Sequence, residues 1–230
     1  MVGPVAAGAK AAGAGRVAYV MRDGAALSGT FSRLVTQRRA AGLVDTFVTC
    51  GQAFGGELEA VTVWTGLLAA VEIGSADVIV VADGPGNLGT DTRFGVTALG
   101  SGVALNAAGS LGGRPVAALR ISFADQRVRH RGLSHHSRTI LQDVVLVPAT
   151  AVVPRLEDER RTEVWRALRA LDAPAPLSIV EEDGAPALEE LERRGVAVTS
   201  MGRTPADDPA FFLAAGAAGV AAANLSLEGR

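Results

Sequence analysis

An α/β fold, built as a three-layer sandwich around a mostly parallel, Rossmann-like sheet, is what this 230-residue sequence predicts. Two features carry that prediction. Short β-branched runs alternate with longer segments of helical period along most of the chain, the rhythm of right-handed βαβ crossovers. Residues 77–82 (DVIVVA) form a continuous apolar run, as expected of a strand buried on both faces. The elements follow in order. Residues 16–22 (RVAYVMR) make a first strand, ended by Asp23-Gly24. Residues 27–41 make a helix with Leu27, Phe31, Leu34 and Val35 at helical spacing, and Gly42 stops it. Residues 43–50 (LVDTFVTC) are a second strand, and 57–73 a helix with Leu58, Val61, Trp64, Leu68 and Val71 on one stripe, closed by Gly74. After the third strand at 77–82, residues 94–111 read as a small-residue helix and 114–122 (RPVAALRIS) as a fourth strand.

Beyond residue 122 the alternation loosens. Residues 144–147 are a short strand, 156–171 a charged amphipathic helix, and 172–176 (DAPAP) a Pro-rich turn. Strands at 177–180 and 196–199 flank a helix at 186–194. The last helix starts at Asp207-Asp208-Pro209, carboxylates ahead of a first-turn proline. Residues 1–150 make the main α/β unit and carry the candidate site. Residues 151–230 add strands and helices to the same sheet, for one domain overall.

Composition narrows the function classes. The net charge of −2 gives no pull toward nucleic acid, and the basic stretch near residue 130 lacks interleaved aromatics. Cys50 is the single cysteine, which excludes an internal disulfide or a cysteine-based zinc site. Residues 210–223 form the longest apolar run, short of the ~20 residues a bilayer needs. The N-terminus has no basic region of a signal peptide. A cytoplasmic protein without a membrane partner is expected.

Ligands of open parallel sheets bind at the carboxyl ends of the strands. Four such ends carry Gly, Asp, Thr, Ser or His: Asp23-Gly24; Gly55, Gly56 and Glu57; the run from Asp83 through Gly84, Gly86, Gly89, Thr90, Asp91 and Thr92 to Arg93; and Asp125 with the segment 127–138 (RVRHRGLSHHSR). The glycine-rich loop at 84–89 matches G-x-G-x-x-G but follows the third strand, and no acidic strand end lies ~20 residues on, so it is no dinucleotide fingerprint. Its glycines either present backbone N–H groups to an anion or serve a turn of positive φ. Glu57 reads as a helix-start carboxylate. His130, His135 and His136 alternate with arginines in one strand-end loop and can exchange protons or bind metal. Neighbouring histidines point apart on a regular element, so one metal would need irregular backbone, with Asp83, Asp91, Asp125 or Glu57 as carboxylate ligands. Cys50 could pair with a histidine, and Arg203 could close the same cleft.

These residues suit an enzyme acting on a small anionic metabolite, phosphorylated or nucleotide-like. Gly55, Gly56, Glu57, Gly84, Gly86, Gly89, Thr90, Thr92, Arg93, His130 and Arg131 would hold the anion. His135 or His136 would handle a proton, with Asp83 and Asp125 as carboxylate partners. The cofactor stays open; a divalent metal is one candidate. Two rivals use the same chain: a ligand-binding or regulatory module without turnover, and a structural subunit forming a homo-oligomer through its small-residue last helix.

Five segments together, VAYVMRDGAAL, CGQAFGGELEAVTVWTGLLAA, GPGNLGTDTRFG, ISFADQRVRHRGLSHHS and SMGR with DPAFFLAAGAAG, resemble the bacterial domain of unknown function family 3866. The RHRGLSHHS piece is the most distinctive. The resemblance implies a helix ahead of the first strand, within which Met1 falls, short of an N-terminal β-rich segment found in that family. It implies glycine as the usual residue where Asp91 stands. It brings no activity with it.

Overall fold

The computed structural model describes residues 1–24, 28–84, 86–90 and 92–229, leaving aside the Phe31 side chain. It is α/β, with a mostly parallel central sheet. That sheet contains β1 (Val17–Arg22), β2 (Thr46–Cys50), β3 (Leu58–Ala60) and β4 (Val78–Asp83), in the order β3-β2-β1-β4 and all parallel. Side chains alternate across it. Val17, Tyr19 and Met21 of β1 pack with Phe47, Val78 and Val80 against α1 (Val2–Ala11) and α7 (Ala185–Arg193). Ala18 and Val20 face α3 (Val63–Glu72) and α4 (Gly100–Ser110) on the other side. The helix α2 (Arg33–Ala40) begins later than its spacing predicts, because the Ser32 hydroxyl accepts the Val35 N–H and caps it there. Leu27 of the expected helix lies outside the described residues.

The expected helix at 57–73 is a strand and a helix. The Glu57 carboxylate accepts the Phe47 N–H (3.0 Å) and pairs with Arg39, which holds the next residues extended along β2 as β3. The helix starts only where Thr62 and Thr65 cap each other reciprocally. That start turns Val63, Gly66, Leu67 and Ala70 inward and leaves Val61, Trp64, Leu68 and Val71 outside. Gly66 packs against β1, where a Cβ would lie 3.1 Å from a Val20 side-chain atom.

Nor is there one sheet. The fourth strand divides into β5 (Val116–Ala118) and β6 (Ile121–Ser122), and β6 pairs antiparallel with β7 (Gly132–Leu133). β5 joins a separate parallel sheet, β5-β8-β9, with β8 (Ala149–Pro154) and β9 (Leu177–Glu182). Residues 144–147 are not a strand: the short helix α5 (His135–Thr139) continues as a π-helical stretch, Ile140–Val144, and β8 begins after it. Residues 196–199 form no ladder; Arg38 donates to the Ala197 carbonyl instead.

The last helix, α8 (Pro209–Glu228), joins the two sheets. Ala215 and Ala223 belong to the core with α1 and the first sheet, while Ala217, Ala218 and Ala221 pack on Val152 of β8. The amphipathic helix α6 (Asp158–Arg169) covers the far face with Val164, Ala167 and Leu168. By length and composition α8 could cross a membrane, since it runs past the apolar stretch visible in the sequence, but 67% of its apolar window is buried inside the fold. Its small residues are therefore spent within the chain. Gly8, Gly216 and Gly219 permit it: a Cβ on Gly8 would sit 2.2 Å from the Gly216 carbonyl oxygen.

Candidate functional site

The sheet order places β4 beside β1 on the side away from β2, so the carboxyl ends of β1 and β4 lie side by side. Asp83 closes β4 and is 5% exposed, paired to Arg22 Nη2 at 2.6 Å. The Arg22 guanidinium lies against Gly100 at the start of α4. Asp83 thus ties two strand ends together and does not reach the histidines as a ligand.

From Gly84 the chain runs to a small hairpin. Gly89 bridges Val96, the Thr90 N–H donates to the Gly95 carbonyl at 2.7 Å, and the Thr90 and Thr92 hydroxyls meet at 2.8 Å. Arg93 then reaches Asp143 in the π-helical stretch, Nη2 donating to both carboxylate oxygens at 2.8 and 2.7 Å. This pair fixes the hairpin against α5.

The histidine segment is organised by the β6–β7 pairing, which returns the chain at residue 132 to the strand it left at 122. Gly132 takes φ +65 at that return. Within the excursion Asp125, 3% exposed, accepts from Arg127 Nε (3.0 Å) and Nη2 (2.9 Å), from the Arg127 N–H, and from Arg120 (2.9 Å). These bonds, the Arg127 bonds foremost, hold its carboxyl below the ordinary carboxylate range. Arg203 completes the cluster by bridging toward Asp125 and Asp208.

His130 follows, 2% exposed, its Nδ1 at 2.8 Å from Ser134 Oγ. The same hydroxyl accepts the His136 N–H and caps α5. His135 and His136 are the first residues of that helix, and His130 lies alongside. Ring centroids are 4.9 Å apart from His130 to each of them and 4.2 Å between them. Regular helix thus brings adjacent histidines together here, because both lean over the helix start where the third ring lies. Burial first, then the guanidiniums of Arg120 and Arg127, pushes His130 down to about 3. Burial and the neighbouring His135, with Arg120, Arg129 and Arg127, push His136 down to about 4. Both rings are neutral at pH 7.

An unfolded histidine titrates near 6.5, so between that pH and about 4 the unfolded chain binds protons that the native one refuses. The stabilising contribution is complete above pH 6.5 and lost as pH falls toward the folded values. Denaturant unfolding of chelator-treated protein is expected to show stability falling steadily from pH 6.5 to 4.5. The His136→Gln variant is expected to be flatter; a wild-type profile level across that span would refute the assignment.

Thr90, Thr92 and Arg93 from the hairpin and Arg129, His135, His136, Arg138, Thr139 and Gln142 from the histidine segment line one open cleft of about 390 Å³. Five expected residues meet there: Thr90, Thr92, Arg93, His135 and His136. His130 stands behind the two cleft histidines. Arg131 does not line the cleft and points to solvent; Arg129 and Arg138, from the same segment, stand there instead. Gln142 and Ser134 had weaker signals, Ser134 only as a hydroxyl ahead of a helix.

Three of the glycine amides are engaged within the chain. The Gly55 N–H donates to Glu59, the Gly56 N–H to Thr49 Oγ1 and the Gly86 N–H to the Gly84 carbonyl, so none of these amides is left for an anion. Gly55 is a turn glycine at φ +86, whereas Gly84 and Gly89 are not in the positive-φ region. Glu57 is bound to Arg39 and Phe47, and Asp125 to its arginines, so neither is a free carboxylate. Asp91 lies outside the described residues. Cys50 is buried on the α3 face of the sheet, and burial pushes its thiol up, which removes the cysteine–histidine pair. Arg203 sits in the cluster behind the cleft rather than across it.

A family model described as a protein of unknown function (DUF3866) matches residues 1–219. No curated protein and no solved structure matches the chain.

Proposed function

This chain belongs to the DUF3866 family, and from the cleft itself we propose that it is an enzyme acting on a small anionic metabolite held between the 90–93 hairpin and α5. One observation carries the reading: three arginines, three threonines and two histidines, drawn from segments about 40 residues apart, converge on one opening with no carboxylate among the described lining residues. Arg129 and Arg138, the latter with its Nε on the Leu133 carbonyl, bring guanidiniums to the opening for a phosphate or carboxylate, and the Thr90 and Thr92 hydroxyls add neutral donors. Arg93 is already committed to Asp143 and mainly positions the hairpin. His135 and His136 present ring nitrogens to whatever the arginines hold.

The reading is tested by thermal shift on chelator-treated protein with inorganic phosphate, a nucleoside monophosphate and a dicarboxylate as probes. A ligand at 100 times its Kd stabilises by about 2.7 kcal/mol, a shift of several degrees. At least one anion is expected to raise Tm, and Arg129→Ala with Arg138→Ala to abolish the rise. No response to any probe, or the same response in the double variant, would overturn the proposal. A second reading, binding without turnover, draws on the low proton affinity of His136: a base near 4 is a weak proton acceptor at neutral pH.

A further inference from the structure

We propose that His130, His135 and His136 bind a divalent transition-metal ion, with zinc the natural occupant, and that its remaining coordination position opens on the arginine-lined cleft. The inference rests on the anion-cleft reading only for the identity of the fourth ligand.

The geometry comes first. One ligand nitrogen from each ring lies within 4.8 Å of the other two. Tetrahedral zinc with Zn–N bonds of about 2.0–2.1 Å spaces its ligands roughly 3.3 Å apart, so small ring rotations close the site. Imidazole suits zinc, copper, nickel and iron, whereas magnesium and calcium require oxygen ligands, which this cluster lacks.

The support is built in. Ser134 Oγ contacts His130 Nδ1 at 2.8 Å, which leaves Nε2 as that ring's metal-facing nitrogen, and the same oxygen caps the helix carrying the other two histidines. Behind it the Asp125 cluster holds the loop from Arg127 to His130. The π-helical stretch continuing α5 is of a kind often found at functional sites.

Charge then selects the fourth ligand. Arg120, Arg127 and Arg129 act on these rings, and the cleft offers no carboxylate among its described lining residues, so a bare dication meets repulsion. An anion bridging the metal and Arg129 or Arg138 relieves it. Metal and anion should therefore strengthen each other's binding, reciprocally. Three histidines with one open position are also the ligand set of catalytic zinc sites.

The test is a cobalt(II) titration of the chelator-treated full chain, with and without inorganic phosphate. Saturable one-to-one binding with the strong visible absorption of tetrahedral cobalt is expected, tighter when phosphate is present. His135→Ala and His136→Ala should each weaken it by more than about 100-fold, and Ser134→Ala by about 10–100-fold. Far-UV circular dichroism checks that these variants fold. A readout free of variants is NMR: the chain has only three histidines, and the ring signals of all three should shift paramagnetically. No saturable binding, unshifted rings, or equal affinity in His135→Ala/His136→Ala overturns the metal site. Anion-induced stabilisation in chelator without cobalt binding removes this inference and leaves the cleft reading. Cobalt binding with no anion response in any form does the reverse.

Discussion

Gly219→Ala is expected to lower stability by about 2–3 kcal/mol and Tm by roughly 4–12 °C. On helix propensity alone the change should help, because glycine costs a helix interior about 1 kcal/mol relative to alanine. The packing reverses the sign. A Cβ on Gly219 would lie 1.9 Å from the Val5 carbonyl oxygen and 2.8 Å from the Ala9 nitrogen, both backbone atoms of α1. Side-chain rotation cannot relieve such a contact, so the helices must separate, and α8 is the element joining both sheets. Gly66→Ala is the matched control, since its nearest neighbours are side-chain atoms at 3.1 Å or beyond, and it should be near neutral. Thermal melts of the two variants decide the matter. Equal melting of wild type and Gly219→Ala would show that the helix contact is looser than described.

Asp125→Asn is expected to cost about 3 kcal/mol while leaving the cleft residues unchanged in identity. Breaking a buried ion pair by removing one partner costs roughly 3–5 kcal/mol, and the lower end applies because the arginines keep some access to water. The carboxylate is 3% exposed and serves Arg120, Arg127 and, more distantly, Arg203, so its loss leaves three cations facing one another. Arg127→Gln should cost under about 1 kcal/mol, since that side chain is 42% exposed. The folded carboxyl titrates below its ordinary value. Its contribution is therefore present above pH ~4 and lost only as pH falls through the folded value, so the deficit of the variant should be the same at pH 6 and pH 8. Denaturant unfolding at those two pH values checks both the size and the constancy. A deficit below 1 kcal/mol would mean that water already serves these arginines.

Much of the chain was legible. The strands β1, β2 and β4, the helices α6 and α7, and the start of α8 at Asp208-Pro209 stand where apolar period, glycine stops and a first-turn proline put them. β3 was not legible, because Leu58–Ala60 fits a helical stripe as well as a strand. The choice was made by Glu57, which binds a backbone group of β2 and holds the chain extended. β8 was missed, the short strand being read at 144–147 instead, although β8 is the central strand of its sheet. Of the residues singled out by loop composition, Thr90, Thr92, Arg93, His135 and His136 line the cleft. Composition could not show that the Gly55 and Gly56 amides are engaged, because whether an N–H is free depends on the acceptor folded against it, and Glu59 and Thr49 are not visible as acceptors in one dimension.

The order of residues along this chain was enough for the α/β class, the alternation of elements and the segment that carries the imidazoles, since each depends on interactions within a few residues. Convergence was decided only in three dimensions. The β6–β7 pairing folds His130 back onto the start of α5, and Arg93 meets Asp143 across 50 residues to form the opposite wall. Such contacts depend on how far apart packed elements come to rest. Gly102 of α4 sets one such distance, since a Cβ there would lie 2.6 Å from Val144 of the π-helical stretch, and no local pattern encodes it.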